Sequence, residues 1–161
     1  MVIILYLYPL VIITIKPHRF NYKLTFDSMY AIMVSGRRFM NIIDFYENEK
    51  GTSDIFVFLE TLRTSANVSK DARIQFGQAS RYIELLEING TNLPTDIAKH
   101  LEDEIWELRP GKNRILFFHY NKDTYVLLHH FRKKTQKTPH KEIEKAKSEM
   151  NDYISRKGTT L

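Results

Sequence analysis

The chain has 161 residues, 43% hydrophobic and 27% charged, which suits one globular domain or one domain with an appendage. It contains no cysteine. That excludes disulfides, thiol catalysis and thiolate metal sites, and fits a reducing, cytoplasmic location. The formal net charge is +5, but residues 1–39 hold five Lys/Arg against one Asp, leaving 19 Lys/Arg against 18 Asp/Glu for the remainder.

Met1 to Ile15 is apolar apart from Pro9 and Thr14. The run falls about five residues short of the roughly 20 that a membrane-spanning helix needs. No basic residue precedes it and no small-x-small site follows, so it is a poor secretory signal. No stable membrane association is expected. From Lys16 to Phe39 no period is sustained. Gly36-Arg37-Arg38 stands just before Met40, and codons such as GGA-AGG-AGG would spell a purine-rich ribosome-binding sequence there. Residues 1–39 are therefore read as a poorly ordered extension from a misassigned start, with the domain proper expected over 40–161.

Asn41 to Tyr46 reads as a short strand, and Glu47 to Gly51 as a turn. Ser53 or Asp54 can cap a short helix carrying Ile55, Phe56, Leu59 and Leu62. After a polar loop, Ser69 is the next N-cap, with Asp71 in the first turn. That helix runs to about Ile88, with Ala72, Phe76, Ala79, Ile83 and Leu86 on one face and Asn89-Gly90 as its stop. Gly77 lies inside it, where glycine costs about 1 kcal/mol relative to alanine, and is expected to mark close packing on the first helix. Two helices joined this way predict a helical hairpin.

Thr91 to Lys99 reads as a loop. Ile105 to Leu108, Arg114 to Tyr120 and Thr124 to about Arg132 then read as strands, joined by tight turns at Arg109-Pro110-Gly111 and Asn121-Lys122-Asp123. They predict a three-stranded antiparallel meander. Thr138 as N-cap and Pro139 in the first turn open a last helix with Ile143, Ala146, Met150 and Ile154 in its apolar stripe. The ending from Ser155 is expected to fray. Helices segregated from an antiparallel sheet give an α+β domain.

Chemistry concentrates between Ile105 and His140, which holds the single tryptophan, Trp106. From Lys99 to Lys141 there are ten Lys/Arg against five acids, with five histidines. Local positive charge on a nearly neutral body suits a polyanion, although such runs are often solvated faces. No glycine-rich phosphate loop, nucleophile elbow or His-Glu-x-x-His is present. His129 and His130 are adjacent on a strand and point to opposite faces, so they do not share a metal ion.

What remains is a set of cations on adjoining strands. Arg109 ends one strand, Arg114 begins the next, and His130 and Arg132 share a face of the third. Lys133, Lys134 and Lys137 continue beyond it. Arginine binds phosphate through a permanently charged planar fork, and histidine moves protons near neutral pH. The competing reading pairs Arg109 and Arg114 with Glu102, Asp103, Glu104 or Glu107, and buries one of the two histidines in the core. Trp106, Phe117 and Phe118 read as core. On residue types alone, the stretch supports binding of an anionic ligand.

Larger blocks carry a resemblance. The W-E-L-R-x-x-x-x-R-I-L-F block (Trp106 to Phe117), H-H-F-x-K-K-T-Q-K-T-P (His129 to Pro139), Glu142-Ile143-Glu144-x-Ala146 and the upstream RYIELLEINGT resemble HigB-like toxins of bacterial toxin–antitoxin systems. These belong to the RelE/ParE superfamily and include phage-derived members. The resemblance spans about Met40 to Arg156. It implies a RelE-like fold and a ribosome-dependent mRNA endoribonuclease that needs neither metal nor cofactor. It also implies a helix-turn-helix antitoxin as partner, besides the ribosome and mRNA.

Carried onto this chain, the implied catalytic residues are Arg109, Arg114, His130 and Lys133. Lys99, His100, His129, Arg132, Lys134 and Lys137 are implied in RNA or ribosome binding, with Lys99 and His100 in a loop. The same superfamily contains ParE-like gyrase inhibitors, and a non-catalytic antitoxin-binding regulator is a further alternative.

Overall fold

The computed structural model describes residues 41–135 and 137–158; the expectations for residues 1–39 lie outside the described residues. Five strands and three helices are present among them. β1 (Ile42–Phe45) leads to α1 (Asp54–Ser65) and α2 (Lys70–Asn89). β2 (Ala98–Glu102), β3 (Ile105–Leu108), β4 (Asn113–Asn121) and β5 (Thr124–Arg132) follow, and α3 (His140–Lys157) closes the order. This is an α+β arrangement.

The helix starts form where the sequence supplies an acceptor for orphan N–H groups. Ser53 Oγ accepts from the Phe56 N–H, and Ser69 Oγ from the Ala72 N–H. α2 stops at Gly90, whose φ of 58° favours glycine and where a Cβ would collide with the Tyr125 hydroxyl. Gly77, by contrast, has open space where its Cβ would be. The expected close helix contact there is absent, so its cost to the helix is uncompensated by packing.

The sheet order is β1-β5-β4-β3-β2. β2 through β5 form a four-stranded antiparallel meander, and β1 adds to β5 in parallel. The predicted three-stranded meander is thus short by one strand, and the N-terminal strand makes the sheet mixed. β2 escaped detection because Ala98-Lys-His-Leu-Glu offers only Ala98 and Leu101 as apolar residues. An edge strand needs little apolar surface and tolerates charge. Lys99 and His100 consequently sit on a strand and not in a loop.

Helices cover both faces. On one, Ile55, Leu59, Ala79, Ile83 and Leu86 of the α1–α2 hairpin are buried, as are Ile115, Phe117 and Leu127 of the sheet. On the other, Ala146 and Tyr153 of α3 cluster with Ile105, Leu116, Phe118, Val126 and Leu128. Two covered faces explain why β4 and β5 read as unbroken apolar runs without alternation.

α3 also departs from expectation at both ends. Pro139 is its N-cap residue and provides no side-chain cap, whereas Thr138 directs its hydroxyl to Glu107. The helix continues through Ser155 to Lys157, with Arg156 bonded to Asp152. Among the described residues, no helix is long and apolar enough to cross a membrane.

Candidate functional site

The pairing of Asn113 with Arg132 brings the β3–β4 turn beside the end of β5. Just beyond that pair, the Lys133 N–H donates to the Lys112 carbonyl at 2.9 Å. Lys112, Arg132, Lys134 and Lys137 are exposed and Lys133 half-buried. None of these five makes an ion pair with a described residue. They form a basic end to the sheet, built from segments that a tight turn and the β5–α3 connection hold together.

Arg109 and Arg114 lie next to this end but are occupied. Their Nε atoms stand 2.9 and 3.3 Å from Glu107 Oε1, and Glu107 is 1% exposed. Thr138 donates to the other oxygen of the same carboxylate. Arg109 also donates to the Thr95 carbonyl, and Arg114 to the carbonyls of Gly111 and Asn113. Burial draws the Arg114 pKa down, partly offset by Glu107. The pair thus fixes the turn that carries Lys112.

The two histidines part company because β5 carries an extra residue. Ile115 pairs with His130 but Phe117 with Leu127, so two β5 residues oppose Leu116. Val126 and Leu128 face α3. Simple alternation would turn His129 away from α3 and His130 toward it. The bulge reverses this. His129 is 0% exposed, with Nδ1 2.6 Å from Glu149 and Nε2 3.4 Å from Glu142, both on α3. Its Nε2 is sealed and makes no hydrogen bond.

His130 faces α1 instead. Its Nδ1 lies 3.1 Å from Asp54 Oδ2, which also accepts the His130 backbone N–H at 2.9 Å. Its ring stacks on Phe58 at 3.9 Å between centroids. The side chain is 28% exposed. Nε2 has no partner among the described residues and is not among the buried polar atoms left without one, so it reaches solvent. Burial raises the Asp54 pKa, but the two hydrogen bonds and the imidazole charge outweigh that and bring it to about 2.

Farther along the sheet, Lys99 is exposed on β2 opposite Glu107. His100 contacts the Trp106 ring edge-on and bonds through Nε2 to the Asp103 carbonyl. Glu102, His140 and Glu144 bring three ligating atoms within 4.8 Å of one another. The Lys147 ammonium already bridges both of those carboxylates and Asp103, and these bonds raise its pKa. The cluster is best described as an ion-pair network joining α3 to β2.

The structure therefore gathers Lys112 with Arg132, Lys133 and Lys134, and sets His130 two residues away on the Arg132 face. Lys99 and His100 lie on the opposite edge strand, and His129 lies inside. Asp54 and Phe58 were missed as site residues. The only sequence signal was an acid in the first turn of a helix, and 76 residues separate it from its partner.

A family model described as "Phage derived protein Gp49-like (DUF891)" matches residues 66–151, more than half of the chain. No curated protein matches the chain significantly.

Proposed function

Because the chain belongs to the family of phage-derived Gp49-like proteins, a family of RelE-like toxins, we propose that it is the toxin of a HigB-like toxin–antitoxin pair. In this reading it has the RelE-like fold and acts in the cytoplasm as a ribosome-dependent mRNA endoribonuclease. The observation that carries it is a histidine with one free, solvent-reaching nitrogen on the strand face it shares with Arg132, at a basic end of the sheet that no carboxylate among the described residues neutralises.

In this scheme the RNA 2′-hydroxyl gives its proton to His130 Nε2, and its oxygen bonds to phosphorus. The P–O5′ bond breaks, leaving a 2′,3′-cyclic phosphate. The 5′-oxygen takes a proton from the Lys133 ammonium, which also opposes the charge developing on phosphorus. Arg132 and Lys134 hold the flanking phosphates through charge-assisted bonds. Lys137, Lys99 and His100 bind RNA or ribosome more peripherally. Arg109 and Arg114 support the site by fixing the β3–β4 turn, and His129 by anchoring α3. His130 thus accepts the one proton that leaves the RNA, and Lys133 supplies the one that the leaving oxygen takes up.

The proposed partner is a helix-turn-helix antitoxin that silences the toxin by covering the basic end with an acidic or helical segment. A translating extract tests the activity. The expected result is mRNA cleavage only in the presence of ribosomes, lost in His130→Ala. Intact mRNA together with inhibited supercoiling by gyrase would instead identify a ParE-like activity. If neither process is affected while an antitoxin still binds, the protein is a non-catalytic regulator.

A further inference from the structure

β1 accompanies β5 only as far as the pairing of Phe45 with Leu127, with the Tyr46 N–H donating to the Leu127 carbonyl. Beyond this point the outer edge of β5 lacks a strand neighbour among the described residues. Asp54 fills the vacancy from the first turn of α1, its Oδ2 accepting the His130 backbone N–H at 2.9 Å. The same oxygen meets His130 Nδ1 at 3.1 Å. One carboxylate oxygen thus grips both the backbone and the ring of a single residue, fixing the side chain relative to its own strand. Phe58, one helical turn on, lies on the same face of α1 and stacks on the ring with an interplanar angle of 17°. α1 therefore sets both the rotation of the imidazole and the tilt of its plane.

We propose that Asp54 is the positioning residue of the site: it holds His130 as the Nδ1–H tautomer and leaves Nε2 as the proton-accepting atom beside Arg132. The inference rests on His130 being the proton-transfer group proposed above. An ionised carboxylate can only accept hydrogen bonds, so the imidazole nitrogen facing it carries the hydrogen. Asp54 is ionised at any pH well above about 2. In the neutral ring Nε2 then bears the lone pair, the state a general base requires. When Nε2 takes up a proton, the resulting imidazolium remains paired with Asp54. The other charged group that acts on Asp54 is Lys145 of α3, which favours its ionised form.

The bulge in β5 gives this arrangement its purpose. Two residues of β5 oppose Leu116, so the face that His130 shares with Arg132 turns to α1, where a carboxylate awaits the ring. His129 has two carboxylates as well, but its ring is sealed and its Nε2 meets no solvent. Equivalent residue types in consecutive positions are thereby assigned to a buried anchor and an accessible base.

The test reads the tautomer directly, by long-range proton–nitrogen NMR correlation on the full chain with labelled histidine. In the unsubstituted protein, His130 is expected as the Nδ1–H form. In Asp54→Asn, whose amide can donate, it should shift toward Nε2–H. Ribosome-dependent cleavage should fall at least about 10²-fold in kcat through the wrong tautomer, with KM little changed, and Asp54→Glu should recover part of it. An Nε2–H tautomer in the unsubstituted protein would overturn the proposal without any variant having to fold. So would Asp54→Asn that keeps the Nδ1–H form and full kcat. A correct tautomer in a protein that cleaves no mRNA would instead refute the nuclease reading and leave the positioning role standing.

Discussion

The Glu107 carboxylate and the Arg114 guanidinium face each other at 3.3 Å with both side chains almost wholly buried. Arg109 and Thr138 complete the surroundings of Glu107. Removing the acid leaves two arginines beside it, one of them buried and uncompensated. Glu107→Ala is expected to destabilise the fold by about 3–5 kcal/mol, measured as the shift in urea midpoint at constant slope. Glu107→Gln, which retains the shape and one acceptor, should cost less.

His129 ties β5 to α3 through Glu149 and Glu142. His129→Leu removes the buried partner of two acids, leaving Glu149 with Lys145 and Glu142 with Lys141 at the surface, and up to about 3 kcal/mol of stability should be lost. Any surviving folded protein should still cleave RNA, since this ring does not reach solvent. His130→Gln should behave in the opposite way, with a smaller loss of stability, from its Asp54 and Phe58 contacts, and cleavage abolished. Denaturation and activity measured together on both variants separate the roles.

The lysines beyond β5, Lys134 and Lys137 exposed and Lys133 half-buried, lack ion-pair partners among the described residues, so the fold does not depend on their charges. Replacing Lys133, Lys134 and Lys137 together by alanine should leave stability within about 0.5 kcal/mol for each substitution. Affinity for single-stranded RNA should fall, and the slope of log affinity against log salt should shrink by about 2. A salt titration of binding checks both. Antitoxin affinity that does not change in the same variant would place the antitoxin on another surface.

Gly77 sits in the middle of α2 with open space around the position of a Cβ. Alanine restricts the unfolded chain and meets no obstacle in the folded one. Gly77→Ala should therefore stabilise the protein by about 0.4–1 kcal/mol, visible as a rise in Tm. A drop in Tm would mean that the helix needs glycine there for packing.

The Asp54 carboxyl is held at about 2, below its ordinary 3.8, because the bonds from His130 outweigh its burial. A depressed carboxylate pKa means that the folded state binds the proton less readily than the unfolded state. The stability it contributes is present above about 4 and is lost as pH falls from there through about 2. Solvent screening moderates the effect, since the side chain is 44% exposed. Acid denaturation of Asp54→Asn should lack this component, while retaining that of the other acids.

The resemblance blocks of the sequence fall on the end of α2 and on β3 to α3, and the helical hairpin, both serine caps and the stop at Gly90 were legible locally. Local rules suffice there because caps and turns depend on residues three or four positions apart. β2 was not legible, because an edge strand with two apolar residues looks like a loop until β3 pairs with it. Nor was β1 legible as a parallel neighbour of β5, since parallel pairing between residues as distant as Ile42 and Thr124 leaves no local signal.

By itself the sequence determined the inventory: cations without nearby acids after β5, two adjacent histidines on opposite faces, and an α+β class of fold. Only the tertiary structure decided which cations stay free and which histidine meets solvent. Glu107 captures Arg109 and Arg114 because strand pairing aligns β3 with β4. One extra residue in β5 reverses the alternation after Leu128, sending His129 into α3 and His130 to Asp54. A period-two reading carries no information about a bulge, because a bulge is defined by two strands and not by one.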